Sequence, residues 1–307
     1  TPTPSSAASD VYKRQDEIGF MVTHITDEGF LKFAPLGGWW DQVLLAQPVV
    51  VKGRKGDVPG VIGSIPPHIL EPEARKKVLT KDKMFIDIGA ADRAEVEKRF
   101  GLRVGDPVVP RFPFTRMKNP KLLMAKAWDD RVGCALFVQA IQELARDEHP
   151  NVVYGVGTVQ EEVGLRGAKT SAEVVSPDVA IILEVDIPGD VPGIKEEESA
   201  VKLGAGPTLL VYDARMIPNL KLRDLVIATA QELDIPLQFS AMEGGATDGG
   251  MIHIHARGVP TVVIGVPARH IHSHAGIIHR DDYDRALQLI VAVVKKLDAS
   301  TVESLTA

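Results

Sequence analysis

The spacing of apolar side chains changes rhythm near residue 119. Between about residue 25 and 118, short apolar runs are broken by Gly and Pro. VVVKGRKGDVPGVIGSIP, KMFIDIGA and GDPVVP predict the strands and turns of a small β-rich domain. One helix interrupts them, DRAEVEKRF, with Val96 and Phe100 one turn apart and Gly101 as its stop. The charged stretch from Arg75 to Lys83 reads as an exposed loop. After residue 119 strands and helices alternate. NVVYGVGTV, VAIILEV and GVPTVVIGV are largely apolar, as buried strands are. DDRVGCALFVQAIQELARD, LRDLVIATAQEL and YDRALQLIVAVVKKL place apolar residues at helical spacing. DEIGFMV, from residue 16, is a further strand. This alternation predicts an α/β protein, a mostly parallel sheet with helices on both faces. The β-rich segment lies between DEIGFMV and the later units. The expected division is therefore a large α/β domain of residues 16–24 and 119–307, with 25–118 inserted into it.

Composition narrows the function classes. The 307 residues carry a net charge of −6, which argues against a general nucleic-acid or membrane-surface binder. No apolar run approaches the roughly 20 residues that span a bilayer. The single cysteine, Cys134, rules out an internal disulfide framework and fits a reducing, cytoplasmic setting. It falls in a predicted helix, where packing is its expected role. The first fifteen residues, TPTPSSAASDVYKRQ, lack periodicity and an apolar targeting core. They read as a non-native or disordered leader, or as the scar of an N-terminal truncation.

Chemistry gathers at the predicted strand ends. TVQEEVGLRG sets Glu161 and Glu162 side by side, although adjacent strand residues point to opposite faces. LLMAKAWDD leads to Asp129 and Asp130, and VAIILEV leads to Asp186. GVPTVVIGVP leads to ARHIHSH, with His270, His272 and His274. Ligands of open α/β sheets collect at the carboxyl ends of strands, and acids gathered there repel one another unless a cation lies between them. Asp, Glu and His together suit zinc, cobalt or manganese. Each piece alone has an ordinary structural reading. Asp-Asp before a helix is a cap, Asp186 before Ile-Pro-Gly is a turn, and the three histidines are a solvated loop. His253 and His255 read as packing or surface residues. The recurrence at successive strand ends is what favours a site.

Five motifs in this order, AWDDRVGCAL, VQEEVGLRGA, EVDIPGD, GGATDGG and IGVPARHIHS, resemble the M42 family of metalloaminopeptidases, which includes glutamyl aminopeptidases and the TET peptidases. The resemblance runs from residue 16 to the end of the chain. It implies an α/β catalytic domain with an inserted PDZ-like domain used in oligomerisation. It also implies two divalent metal ions, zinc or cobalt or else manganese. Asp129 would bridge them with Asp130 behind it, Glu162 and His272 would complete one site, and Asp186 would serve the other. Glu161 would be the general acid/base, with Thr247, Asp248 and Arg269 in the substrate region. Peptides would be the substrates, and the assembly a homo-oligomer built from dimers, up to a dodecamer.

One departure stands at the N-terminus. The family carries His-x-Asp-Glu before the strand that reads DEIGFMV here. Asp16 matches the acid that orients the histidine, but Arg14 takes the histidine's place. His24 lies about 26 Å along an extended chain from Asp16 and does not substitute. The expectation is one defective metal site and impaired hydrolysis. Two other readings stay open. A scaffold or pseudo-enzyme would fit the missing histidine. An endoglucanase-type glycosidase could use paired carboxylates, although 5% aromatic residues is low for a sugar-stacking cleft.

Overall fold

The computed structural model describes residues 8–14 and 16–306. Two compact units emerge. One takes the described residues up to Asp16 with 115–271 and 276–306; the other takes 17–114 with 272–275.

The α/β unit begins with β1 (Ala8–Arg14). The backbone of β1 has a parallel neighbour on each side, pairing Arg14 with Thr158 and Tyr12 with Ile182. This corrects the reading of the first fifteen residues as a leader outside the fold, for 8–14; residues 1–7 and 15 lie outside the described residues. Ladder hydrogen bonds on both edges hold such a strand. SDVYKR carries too few apolar letters for alternation to reveal it.

The second unit is a closed barrel of six strands. These are β2 (Gly19–Ile25), β3 (Leu31–Leu36), β4 (Pro48–Gly53), β5 (Gly56–Gly63), β6 (Phe85–Asp87) and β7 (Pro107–Pro110). All adjacent pairs are antiparallel. A single turn, α1 (Pro72–Arg75), lies between β5 and β6. Phe20, Val22, Leu31, Val49, Val51, Ile62, Ile86 and Val108 form its core. Trp39 stacks on Phe20 at 4.6 Å between ring centroids. Its indole N–H donates to the Gly19 carbonyl at 3.0 Å. The strand in DEIGFMV therefore belongs to the barrel and not to the α/β domain, and the boundaries fall at residues 16/17 and 114/115. The cause is local. The turn after Ile25, with Gly29 at φ 86°, folds β2 straight back onto β3. An apolar pattern shows that a face is buried without showing which core buries it.

The α/β unit resumes with β8 (Thr115–Arg116), β9 (Leu122–Ala125), α2 (Trp128–Leu144), β10 (Val152–Thr158), α3 (Arg166–Val175) and β11 (Val179–Asp186). It continues through β12 (Thr208–Asp213), α4 (Leu220–Glu232), β13 (Gln238–Met242), α5 (Gly249–Ile252) and β14 (Thr261–Arg269). It ends with β15 (Gly276–His279), α6 (Arg280–Lys295) and α7 (Ala299–Ser304). The nine-stranded sheet runs β10-β1-β11-β14-β15-β9-β8, with β12 beside β14 and β13 beside β12. It is mixed rather than mostly parallel. The run from β10 to β14 is parallel and the run from β14 to β8 antiparallel. The short link 270–275 leaves no room for the dozen or more residues of a parallel crossover.

Helices cover both faces. Val179, Ile181 and Leu183 of β11 enter the larger core with α2, α4 and α6. Ala180 and Ile182 enter a smaller one with Ala168 and Ala172 of α3 and Ile252 of α5. That alternation is the period-2 rule of a strand covered on both sides. No helix among the described residues is long and apolar enough to cross a membrane.

Candidate active site

The first turn of α2 departs from helical geometry. Asp129 (φ −83°, ψ 99°) and Asp130 (φ −132°, ψ 53°) follow Ala127 in the left-handed region, with a cis peptide between the two acids. Asp130 keeps the cap role, its Oδ1 accepting the Gly133 N–H at 3.1 Å. One carboxylate oxygen of Asp129 lies within 4.8 Å of an oxygen of Glu162. In a second grouping Asp129, Asp130 and Glu184, all buried, bring oxygens within 4.8 Å of one another. Asp129 is common to both.

The loop after β10 separates the adjacent glutamates. Gln160 at φ 59° and Leu165 at φ 56° turn the chain sharply. The Glu161 carbonyl accepts the N–H groups of Gly164 and Leu165, each at 2.9 Å. Gly167 N–H donates to Val159 at 2.8 Å, and Glu161 N–H donates to Asp16 Oδ1 at 3.4 Å. Glu161 is buried and Glu162 half-buried. Asp186 ends β11, and its Oδ1 accepts the Ile187 N–H at 2.9 Å. Burial pushes the Asp186 carboxyl up, with some help from Glu184. The hydroxyls of Ser240 and Thr208 and the Ile187 amide oppose this without cancelling it.

The profile described as M42 glutamyl aminopeptidase matches residues 11–289. FrvX of Escherichia coli (strain K12) is 44% identical over 295 residues, covering 96% of this chain and 82% of FrvX. The chain belongs to the M42 aminopeptidase family. Among solved structures, the TET aminopeptidase from the marine sediment archaeon Thaumarchaeota archaeon SCGC AB-539-E09 superposes with a TM-score of 0.96 at 50% identity. That match covers 99% of this chain and 85% of the other. The TET1 peptidase of Pyrococcus horikoshii, which can assemble into a tetrahedron or a large octahedral shell, gives 0.83 at 31% identity. It covers 96% of this chain and 85% of that one.

In this M42 member the other expected residues are engaged as follows. Thr247 is buried; its hydroxyl and N–H donate to Asp213 at 2.9 and 3.2 Å, and Arg215 N–H donates to the other Asp213 oxygen at 2.7 Å. Asp248 accepts the Thr158 hydroxyl at 2.6 Å. Both therefore brace the GGATDGG loop against strand ends. Arg269 forks onto Asp190, with Nε to Oδ1 at 2.8 Å and Nη2 to Oδ2 at 2.5 Å. Burial works to raise the Asp190 carboxyl, but Arg269 and the Leu203 amide outweigh it and hold it low. His270 and His272 adopt φ of 60° and 55°. His274 is buried in the barrel unit, its ring 5.5 Å from that of Trp39. The sequence reading passed over Glu184, Asp190 and Asp213. Asp213 ends TLLVYD as Asp186 ends VAIILEVD, and Glu184 is an acid inside an apolar run. Both signals were there to be read.

Proposed function

We propose that this M42 protein removes N-terminal residues from peptides by metal-dependent hydrolysis. Asp129, Glu162, Asp186 and His272 would hold two divalent ions, and Glu161 would be the general base. The observation that carries this reading is the focus at Asp129, with carboxylate oxygens of Glu162, Asp130 and Glu184 each within 4.8 Å of its own. Two like charges at that separation repel by about 3–4 kcal/mol at an effective dielectric near 20. A divalent ion offsets this, and oxygen donors with an imidazole suit zinc, cobalt or manganese.

When bound, such a pair of ions supplies Lewis acidity and a water acidified from 15.7 toward about 7. The protein's own contribution is proton handling. Glu161 would take a proton from the attacking water and return it to the departing amine. Its main chain is fixed for the task by the Gly164, Leu165 and Asp16 bonds. Asp130 stays behind Asp129 as helix cap. Thr247, Asp248 and Arg269 belong to the substrate region through the loops they brace, and surplus carboxylates near the metals receive the substrate's free amine. The side chain of Arg14 lies outside the described residues. By family likeness Arg14 stands in the place of a metal-ligating histidine, and an arginine there would oppose a cation, so the second ion would be weakly held in this chain. By the same likeness the protein works as a homo-oligomer, and its single cysteine fits a reducing, cytoplasmic setting.

The test is a panel of aminoacyl anilides with zinc, cobalt or manganese, with and without chelator, on this chain and on Arg14→His. Chelator should abolish turnover, and Arg14→His should raise turnover and bind more metal per chain. Chelator-resistant cleavage, or hydrolysis of a cellulose oligomer in place of the anilides, would overturn the proposal.

A further inference from the structure

The left-handed φ of His272 is adopted by only a few per cent of non-glycine residues, and such conformations cluster at functional positions. Within the barrel unit, the edge of its ring faces Gly38. A methyl group on Gly38 would stand 3.0 Å from Nδ1 and 3.3 Å from Cε1 of His272. Apart from its chain neighbours, that methyl would meet no other described residue within 4 Å. Gly38 is not held in the left-handed region that favours glycine. Its backbone therefore tolerates alanine, and what a side chain would displace is the imidazole. Gly38 is also firmly placed. The next residue, Trp39, is buried, stacks on Phe20 and donates its indole N–H to Gly19. The ring of Trp39 also lies beside that of His274.

We propose that Gly38 is a positioning residue whose missing side chain sets the pose of the His272 imidazole. This rests on the assignment of His272 as a ligand. Metal sites need their ligands within about 0.5 Å and 10–20° of the productive geometry. A contact of 3.0 Å to a carbon must open by several tenths of an ångström, or the ring must rotate. Either movement weakens binding without removing a donor.

The test uses the full chain loaded with zinc and titrated with EDTA, with retained metal read by mass spectrometry. The variants are Gly38→Ala, Gly38→Val, His272→Ala and the double variant Gly38→Ala/His272→Ala. Gly38→Ala should release zinc at about tenfold lower chelator, the low end of the 10–100-fold range for groups that orient metal ligands. Gly38→Val should shift further. The metal-stripped melting midpoint of Gly38→Ala should equal that of the parent, and adding it to His272→Ala should change nothing more. Unaltered retention in Gly38→Ala would overturn the proposal, as would a lowered metal-stripped midpoint or a second tenfold loss in the His272→Ala background. If His272→Ala itself held zinc like the parent, the ligand assignment would fall, and this inference with it.

Discussion

At Glu161 the main chain is tied by three hydrogen bonds, which leaves the carboxyl as the variable part. Glu161→Gln keeps size and shape but cannot take a proton near neutrality. The expected outcome is a fall in kcat of about 10²–10⁴-fold, with metal content and melting midpoint unchanged. Turnover within tenfold of the parent would place the base elsewhere. Asp190 makes a different residue-scale argument. Its carboxyl is held below the usual carboxylate range by Arg269 and the Leu203 amide, against the opposing effect of burial. A depressed folded value means the stabilisation is fully present above the unfolded value of about 3.9 and is lost as pH falls through the folded value. Asp190→Asn should therefore cost about 1–3 kcal/mol at pH 7, read from urea midpoints. The gap should close as the pH is taken below about 3.9. A gap constant with pH would mean the carboxylate charge contributes little.

At the scale of elements, the turn between β10 and α3 depends on close backbone approach. A methyl group on Gly167 would lie 2.3 Å from the Val159 carbonyl oxygen and 2.4 Å from its nitrogen. Main-chain atoms cannot swing aside as a side chain can. Gly167→Ala should cost about 1–3 kcal/mol or more and lower turnover beyond what the lost stability explains, because the same turn carries Glu161. An unchanged midpoint would show that the turn relaxes freely. What the letters reveal about elements follows one physical line. β11 was legible because residues 179–184 are all buried and nearly all apolar. β2 was legible as a strand but not as part of the barrel, since its pattern reports burial and not the partner. β1 was invisible, because pairing on both edges holds it. The acids followed the same line. Asp129, Glu162 and Asp186 stood out as strand-end carboxylates. Asp190 did not, because the partner that gives it meaning, Arg269, is 79 residues away.

For the whole molecule, the segment between β5 and β6 bears on self-assembly. Isolated exposed apolar side chains are ordinary, but Ile65, Ile69 and Val78 are 55%, 75% and 59% exposed along one stretch between β5 and β6. Exposed apolar side chains recurring along one segment are what an interaction surface would use, and the Pyrococcus horikoshii TET1 peptidase can assemble into a tetrahedron or a large octahedral shell. A self-assembling chain would bury these residues against another copy, whereas a free barrel would leave them in water at no functional gain. Ile65→Glu with Ile69→Glu should therefore reduce the particle mass seen by light scattering. The barrel core should be unaffected, since neither residue packs within it, and circular dichroism and the melting midpoint should hold. Desolvating two carboxylates in an apolar contact costs several kcal/mol, more than a single interface of modest area can absorb. An assembly of undiminished mass in the double variant would free this stretch of that role and move the contact surface elsewhere.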